Sequence, residues 1–312
     1  MNKQSEPNFP DIQLGSLDEL WFQVAGTVCN LTCEHCFISC SPQNHSFDFL
    51  TFAQVESALL ESVERGVREY YFTGGEPFLN KELVRMLQRT LDFGPATVLT
   101  NGTVLKSEWL QQLAATENQS QYSLEFRVSI DGPTSEINDP VRGKGTFDRA
   151  IQGVSLLSEF GFLPIITMTQ TWDDSQNANM LNQFRSVLQS HGYSRPRLKI
   201  LPRLKIGAEE KRTKGYQDTE RISHQMMEDF DHNQLLCHHS RVITSRGVYV
   251  CPILLEEPDA NMGNTIAEST RAFKLKHGAC YTCYQYGAIC TNSSLTRASP
   301  LTQWRGIKKK RG

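Results

Sequence analysis

Between residues 20 and 201, six short strand-like segments alternate with segments of helical apolar spacing, and this alternation constrains the fold most. The chain lacks a G-x-G-x-x-G pattern, which disfavours a dinucleotide-binding fold. Strands that alternate with helices form a parallel sheet covered by helices, so the sequence predicts an α/β fold. The predicted strands are 20–25, 69–73, 96–100, 123–130, 163–169 and 198–201.

The first helix is predicted to begin after Thr51, with Gln54 as the partner of a capping box. It should end near Gly66, since glycine commonly follows the last helical residue. Its apolar residues recur at helical spacing, so they should pack together on the sheet. The predicted buried face consists of Phe52, Val55, Leu59, Leu60 and Val63.

Unusual residues follow the ends of four successive predicted strands. A cysteine-rich loop follows the first strand and the run 74–77 follows the second. Thr100 and Asn101 lie at the end of the third, and Ser129 and Asp131 at the end of the fourth. In a parallel barrel the active site lies at the carboxyl ends of the strands. These residues are therefore expected to meet at one site.

The cysteine loop carries Cys29, Cys33 and Cys36 at C-x3-C-x2-C spacing, followed by Phe37. Thiolates favour zinc, copper(I) or iron–sulfur clusters. A structural zinc site needs four protein ligands, and an ordinary iron–sulfur cluster is also held by four cysteines. Three cysteines on a four-iron cluster leave one iron open to a substrate or cofactor. A zinc loop and a chance grouping are the alternatives.

The composition limits the location and the partners of the chain. It has 312 residues, a net charge of −2 and nine cysteines. Residues 1–10 contain no apolar signal region, and no apolar run approaches the ~20 residues of a membrane span. The near-neutral charge gives no reason to expect nucleic acid or a membrane surface. We expect a cytoplasmic protein, whose cysteines in a reducing compartment bind metal rather than form disulfides.

The cysteine triplet with its trailing aromatic residue, together with Gly-Gly-Glu-Pro at 74–77, resembles the radical S-adenosylmethionine (SAM) enzymes. The resemblance covers about residues 20–201 and implies a partial (β/α)6 TIM-like barrel. It implies a 4Fe-4S cluster on Cys29, Cys33 and Cys36, with SAM bound to the open iron. An external electron donor such as flavodoxin or ferredoxin would reduce the cluster, and cleavage of SAM would yield a 5′-deoxyadenosyl radical.

The same resemblance implies a set of SAM-binding residues. The run at 74–77 would hold the methionine amino group through exposed carbonyls and a carboxylate, since glycines let a backbone approach a ligand closely. Polar positions after the next strands would face SAM, and an arginine would pair with its carboxylate. For Thr100, Asn101, Ser129 and Arg142, turn and capping roles are the alternatives. The implied residues are Gly74, Gly75, Glu76, Pro77, Thr100, Asn101, Ser129 and Arg142.

Cys40 follows the triplet closely. If Cys40 bound the fourth iron, the cluster would be closed and SAM could not bind it. The family pattern does not use this position, so Cys40 is predicted to be a buried or loop thiol.

A second cysteine group lies near the carboxyl end and resembles the SPASM and twitch extensions of radical SAM enzymes, which hold auxiliary clusters. The group departs from a full SPASM pattern, because five cysteines cannot ligate two four-iron clusters. One auxiliary iron–sulfur cluster is predicted, with Cys237, Cys251, Cys283 and Cys290 as its ligands and Cys280 as the spare. A structural zinc site is the alternative. The candidate metal ligands here are Cys237, Cys251, Cys280, Cys283 and Cys290.

Five segments are predicted. They are an N-terminal segment 1–17, a radical SAM core 18–202, an exposed linker and a helix over 203–236, an auxiliary-cluster domain 237–295 that begins with a hairpin near Gly247, and a basic tail 296–312. The predicted function is hydrogen abstraction from a peptide or protein side chain. A small-metabolite substrate is the first alternative, and a non-catalytic zinc or electron-transfer protein is the second.

Overall fold

The computed structural model describes residues 8–287, 289 and 290, so the predicted basic tail 296–312 lies outside the described residues. The main sheet has nine strands in the order β10-β9-β8-β2-β3-β4-β5-β6-β7, and β1 pairs with β11 separately. The strands are β1 (Asp11–Ile12), β2 (Glu19–Gln23), β3 (Glu69–Thr73), β4 (Ala96–Thr100), β5 (Leu124–Ser129), β6 (Ile165–Thr169), β7 (Arg197–Leu201), β8 (Ser240–Thr244), β9 (Gly247–Tyr249), β10 (Asn261–Gly263) and β11 (Phe273–Lys274).

Strands β2 to β7 lie side by side in chain order, and every neighbouring pair is parallel. The predicted parallel α/β sheet is therefore confirmed, as in a partial TIM-like barrel. On the other side of β2, strand β8 also pairs in parallel, and β9 and β10 continue as antiparallel strands. The predicted hairpin is present, with Ser245 and Arg246 as its two-residue loop.

The helices are α1 (Phe52–Glu64), α2 (Leu83–Thr90), α3 (Ser107–Gln119), α4 (Ser135–Arg142), α5 (Thr146–Glu159), α6 (Asn177–Ser190), α7 (Ala208–Thr213), α8 (His224–Met227) and α9 (Gly278–Tyr286). The capping box of Thr51 and Gln54 at α1 is confirmed. The predicted face of α1 is partly wrong, because Leu60 and Val63 are exposed. Ser62 is buried instead, since its hydroxyl bonds the Tyr70 hydroxyl at 2.7 Å.

Two local predictions are corrected. The helix predicted over 222–236 is not continuous, because this range forms the short helix α8 and a 3-10 turn at His232–Gln234, and a second 3-10 turn begins at Leu236. The segment 203–221 is not simply exposed. It contains α7, its Leu204 and Glu209 are buried, and Ala208 N–H donates to the Cys36 carbonyl at 2.9 Å. Helix α4 was not predicted, because Pro140 lies inside it.

The sheet separates two cores. One face packs on α1 to α6 through residues such as Phe22, Phe72 and Phe126. The other face forms a second core around Trp21 and Tyr71, whose rings stack at 4.2 Å between centroids. This second core also includes buried cysteines from both the front loop and the C-terminal group.

No helix within the described residues is long and apolar enough to cross a membrane.

Candidate active site

The cysteine loop begins directly after β2 and closes on itself. Gln23 donates its side-chain amide to the Gly26 carbonyl at 2.8 Å, which turns the chain out of the strand. Cys29 N–H donates to the Ser41 carbonyl at 3.2 Å, and residues 28 and 41 form a β-bridge. The loop therefore holds Cys29, Cys33 and Cys36 within one closed segment at the carboxyl end of the sheet.

The run at 74–77 packs against the cysteine loop. Gly75 N–H donates to the Gly26 carbonyl at 2.9 Å, and Glu76 N–H donates to the Val28 carbonyl at 3.0 Å. A Cβ on Gly75 would lie 2.0 Å from the Val28 carbonyl oxygen, so only glycine fits. No backbone donor among the described residues bonds the carbonyls of Gly74 and Gly75. These two carbonyls are free to accept hydrogen bonds from a ligand. Pro77 begins a short 3-10 turn and is buried.

The Glu76 side chain, predicted as a carboxylate that accepts from the methionine amino group, is fully buried and already has protein donors. Oε1 accepts from Thr100 Oγ1 at 2.7 Å and from Phe78 N–H at 3.1 Å, and Oε2 accepts from Asn101 N–H at 2.8 Å. Burial raises the pKa of Glu76 to about 7, against the lowering effect of these donors. The carboxyl group thus ties the end of β3 to the end of β4.

Asn101 reaches the cysteine loop from β4. Its amide donates to Asn30 Oδ1 at 2.9 Å and lies 3.7 Å from Cys29 Sγ. The Thr100 hydroxyl bonds Glu76 and also accepts from Gly102 N–H. Both predicted residues lie at the site, but their polar groups already bond protein atoms.

Ser129 and Arg142 lie on the other side of the cysteine loop. The Ser129 hydroxyl at the end of β5 lies 3.3 Å from the Thr167 hydroxyl on β6. Arg142, the last residue of α4, places Nε 2.6 Å from Asp131 Oδ2. The same Asp131 oxygen lies 2.7 Å from His35 Nε2, within the cysteine loop.

The sequence analysis placed Asp131 at the site without a role, and it missed His35. Both side chains are at least nine-tenths buried, and His35 Nδ1 has no hydrogen-bond partner among the described residues. The position of His35 between Cys33 and Cys36 was the available signal. Burial acts to raise the pKa of Asp131, but the charges of Arg142 and His35 outweigh it and hold the pKa well below its usual range.

The front thiols differ in their environments. Burial raises the pKa of Cys29 to about 12 and that of Cys33 to about 11. A hydrogen bond from the Cys40 thiol lowers the pKa of Cys36 to about 6, and Cys40 N–H also donates to Cys36 Sγ at 3.2 Å. Cys40 is buried and acts as a donor to Cys36. Thiols with raised pKa values need a cation to become thiolates, which suits a metal site.

The C-terminal cysteines gather in the second core. Cys237, Cys251, Cys280 and Cys283 line one small cavity with an almost wholly apolar lining. The last two lie one helical turn apart on α9. Cys290 lies close enough to affect the pKa of Cys283, which burial raises well above its ordinary value. The structure thus brings all five C-terminal cysteines together, with Cys290 next to Cys283 and Cys280 on the cavity wall.

A polar cleft of ≈ 750 Å³ opens beyond the carboxyl ends of β6 and β7. Trp172 and Asp174 line it after β6, and Arg203 and Lys205 line it after β7. Tyr286 also lines it, from helix α9, which carries Cys280 and Cys283. The cleft is therefore bordered by both the barrel and the C-terminal segment.

Comparison with known proteins agrees with this geometry. Residues 24–176 match the Radical SAM superfamily. Mycofactocin maturase MftC of Mycolicibacterium smegmatis is 31% identical over 168 residues, which are 53% of this chain and 40% of that protein. The subtilosin biosynthesis protein AlbA of Bacillus subtilis is 29% identical over 45% of this chain and 31% of its own length. The chain thus spans less than half the length of these relatives.

Solved structures share the fold. Native anSMEcpe with bound AdoMet gives a TM-score of 0.58 at 19% identity, covering 80% of this chain and 79% of that chain. Streptococcus suis SuiB bound to its precursor peptide SuiA gives 0.61 at 14% identity, covering 83% and 66%. These structures show the shared fold, and the sequence match identifies residues 24–176 of the chain as a radical SAM domain.

Proposed function

We propose that Cys29, Cys33 and Cys36 hold a 4Fe-4S cluster with one open iron, and that SAM binds beside it. One observation carries the proposal: the cysteine loop is hydrogen-bonded to the Gly74–Gly75 turn, whose carbonyls have no backbone donor among the described residues. Nearby, His35 Nδ1 is buried without a protein partner. These groups fit a ligand that brings both donors and acceptors.

When bound, the cluster would supply the electron for reductive cleavage of the SAM sulfonium, and the resulting 5′-deoxyadenosyl radical would abstract hydrogen from the substrate. The residues of the chain bind SAM and orient it. The Gly74 and Gly75 carbonyls accept hydrogen bonds from the methionine ammonium group. Arg142 keeps Nη1 and Nη2 free of hydrogen bonds to the described residues, so it can pair with the methionine carboxylate. An external donor such as flavodoxin or ferredoxin delivers the electron.

The spacing of the cysteines supports a cluster rather than one zinc ion. Zn–S bonds keep the sulfurs of a tetrahedral site about 3.8 Å apart. Within the described residues, the only three candidate ligands whose donor atoms lie within 4.8 Å of one another are Glu257, Asp259 and His277. Neither cysteine group is that compact, whereas a cubane spreads its ligands over separate irons. We extend the proposal to an auxiliary cluster on Cys237, Cys251, Cys280 and Cys283.

We further propose that the substrate is a peptide or protein side chain. The cleft at the ends of β6 and β7 has charged and aromatic lining suited to a peptide backbone and its side chains. Lys205 there is bonded to Glu220 at 2.6 Å, and Arg203 donates to the Gln170 carbonyl at 2.9 Å, so the lining is fixed in place. Two relatives support this choice, since MftC is a maturase and SuiB binds a precursor peptide.

The test compares three proteins reconstituted with iron and sulfide without oxygen. The triple variant Cys29→Ala, Cys33→Ala, Cys36→Ala should form no 5′-deoxyadenosine from SAM and dithionite, because no cluster ligand remains at the front. Cys40→Ala is the matched control and should keep the iron content and cleavage of the parent, since Cys40 donates to Cys36 and is not needed as a ligand.

Undiminished cleavage by the triple variant would show that the front loop is not the reaction site. Loss of about one cluster from Cys40→Ala would show a closed four-cysteine site instead. Incubation with peptides encoded beside the gene then tests the substrate, since a mass change requires the correct peptide. A change seen only with small metabolites would favour the alternative substrate class.

A further inference from the structure

Asp131, which follows β5, contacts three other parts of the fold at the carboxyl edge of the sheet. Oδ1 accepts from Thr169 N–H at the end of β6 at 2.7 Å. Oδ2 lies 2.7 Å from His35 Nε2 and 2.6 Å from Arg142 Nε. Asp131 N–H in turn donates to Asn138 Oδ1 on α4 at 3.0 Å. One carboxylate therefore contacts the cysteine loop, the end of β6 and helix α4.

The backbone brings α4 and the cysteine loop together at the same place. Glu34 N–H donates to the Val141 carbonyl at 2.9 Å. The Cys33 sulfur lies 4.0 Å from the Arg142 carbonyl oxygen. The backbone fixes the distance between the two segments, but it does not fix where the His35 ring and the Arg142 guanidinium point. Asp131 is the side chain that contacts both.

The carboxylate of Asp131 faces both of these groups. Its side chain is fully buried, and a buried carboxylate needs opposite charge or hydrogen bonds to remain ionised. Arg142 Nε does not meet Oδ2 at a standard hydrogen-bond angle, so the attraction of opposite charges holds this contact. Pairing through Nε leaves the two terminal nitrogens of the guanidinium for a second carboxylate.

We propose that Asp131 is a positioning residue for SAM binding, setting the direction of Arg142 and of His35 relative to the cysteine loop. The role rests on the proposed function. Asp131 itself touches neither the cofactor nor the cysteines. It acts through Arg142, which pairs with the SAM carboxylate, and through His35, which is fixed between two cluster ligands.

The test uses the reconstituted full chain and the variant Asp131→Asn. The amide keeps the shape and the acceptor for Thr169 but presents no charge to Arg142 and His35. We expect iron content like that of the parent, a Kd for SAM raised roughly tenfold or more, and a proportionate loss of the change that SAM induces in the EPR spectrum of the reduced cluster. A role in folding alone would lower the melting temperature or the iron content and leave the Kd per cluster unchanged.

Two further variants sharpen the result. Asp139→Asn is the matched control, because Asp139 lies on α4 and bonds only the start of α5 and Asn138. Its Kd for SAM should stay within about twofold of the parent. Asp131→Asn combined with Arg142→Gln should raise the Kd by less than the product of the two single effects, since residues that share a contact are not additive.

The outcomes separate the two proposals. A parent protein that holds iron yet shows no response to SAM overturns the proposed function, and the role of Asp131 falls with it. A parent that responds, together with an unchanged Kd in Asp131→Asn or full additivity with Arg142→Gln, overturns the positioning role alone. If Asp131→Asn is recovered unfolded, His35→Phe replaces it in the test, because this variant keeps a ring and removes one contact of Asp131. An unchanged Kd for SAM in His35→Phe overturns the positioning role of Asp131.

Discussion

Glu76 and Asp131 are buried carboxyl groups that contact residues at the strand ends. The groups that contact Glu76 are neutral, whereas those that contact Asp131 can carry positive charge. Glu76 bonds a hydroxyl and two backbone N–H groups, all neutral, and burial raises its pKa to about 7. Asp131 faces Arg142 and His35, and its pKa is held well below the usual range despite burial. Asp131 is therefore anionic at neutral pH, whereas Glu76 is close to its midpoint. The fixed negative charge lies on the side of the loop where Arg142 is placed.

Gly75 is the residue where the two loops of the site come closest. In Gly75→Ala the new Cβ would lie 2.0 Å from the Val28 carbonyl oxygen, which is backbone and cannot swing away. We expect the loops to separate, with loss of SAM binding and at least half of the front-site iron. Gly66→Ala is the control, because Gly66 has a positive φ of 77° but nothing within 4 Å. It should cost only about 1 kcal/mol of stability and leave SAM binding intact.

The measurements are iron content, SAM affinity and thermal unfolding of both glycine variants. Equal losses of SAM affinity in Gly75→Ala and Gly66→Ala would mean that general destabilisation, not the contact with Val28, explains the effect.

At the scale of single elements, strand β2 carries an ionisable group into the second core. Glu19 is buried, and Trp21 Nε1–H donates to its Oε2 at 3.3 Å. Burial, with a contribution from the nearby Glu69, raises the pKa of Glu19 from 4.5 to about 8. A carboxyl group with a raised folded-state pKa retains its proton after the unfolded chain has lost it. The free energy of unfolding should therefore fall as pH rises from about 4.5 to about 8.

Glu19→Gln removes this titration while retaining an acceptor for Trp21. The variant should gain stability over the parent as pH rises through that window, by on the order of a few kcal/mol at pH 8. Melting temperatures of the metal-free proteins at pH 5 and pH 8 measure the gain. Glu64→Gln, at the exposed end of α1, should track the parent at both pH values. Parallel pH dependences for Glu19→Gln and the parent would contradict the assignment.

The elements that the sequence predicted well have strong local signals. The bounds of β3 and β4 agree with the predicted 69–73 and 96–100, because apolar runs end there at glycine or asparagine. The capping box at Thr51 is likewise local. Helix α4 was missed, because Pro140 and its polar neighbours are typical of a turn, and only contacts with the cysteine loop and Asp131 show its place.

At the site, too, the features with a local sequence signal were predicted and those that depend on distant residues were not. The cysteine spacing and the run at 74–77 lie in contiguous sequence, so both were recognised. The orientation of Glu76 was not, because donors from β4 decide it. The contact of His35 with Asp131 joins residues far apart in the chain, and no periodicity or local motif predicts such a pair.

At the scale of the whole molecule, the two cysteine groups share one hydrophobic core. Strand β8 pairs with β2, so the chain after Cys237 extends the sheet that delivers the front loop. Trp21 and Tyr71 pack in the same core as Cys29, Cys251 and Cys283. The C-terminal segment is therefore packed against the barrel and borders the cleft proposed for the substrate.

This arrangement predicts separable roles for the two cysteine groups. With both proposed clusters the reconstituted chain should hold about eight irons, and Cys280→Ala with Cys283→Ala should reduce this to about four, because both ligands on α9 are lost. Formation of 5′-deoxyadenosine without peptide should persist, since the front loop is intact, while modification of the peptide should be lost.

Thr282→Val on the same helix is the control. It removes the bond between Thr282 and the Tyr216 hydroxyl, at 2.6 Å, and should keep about eight irons. If the double variant instead loses one zinc and no iron, the C-terminal cysteines form a structural zinc site and the auxiliary cluster is excluded.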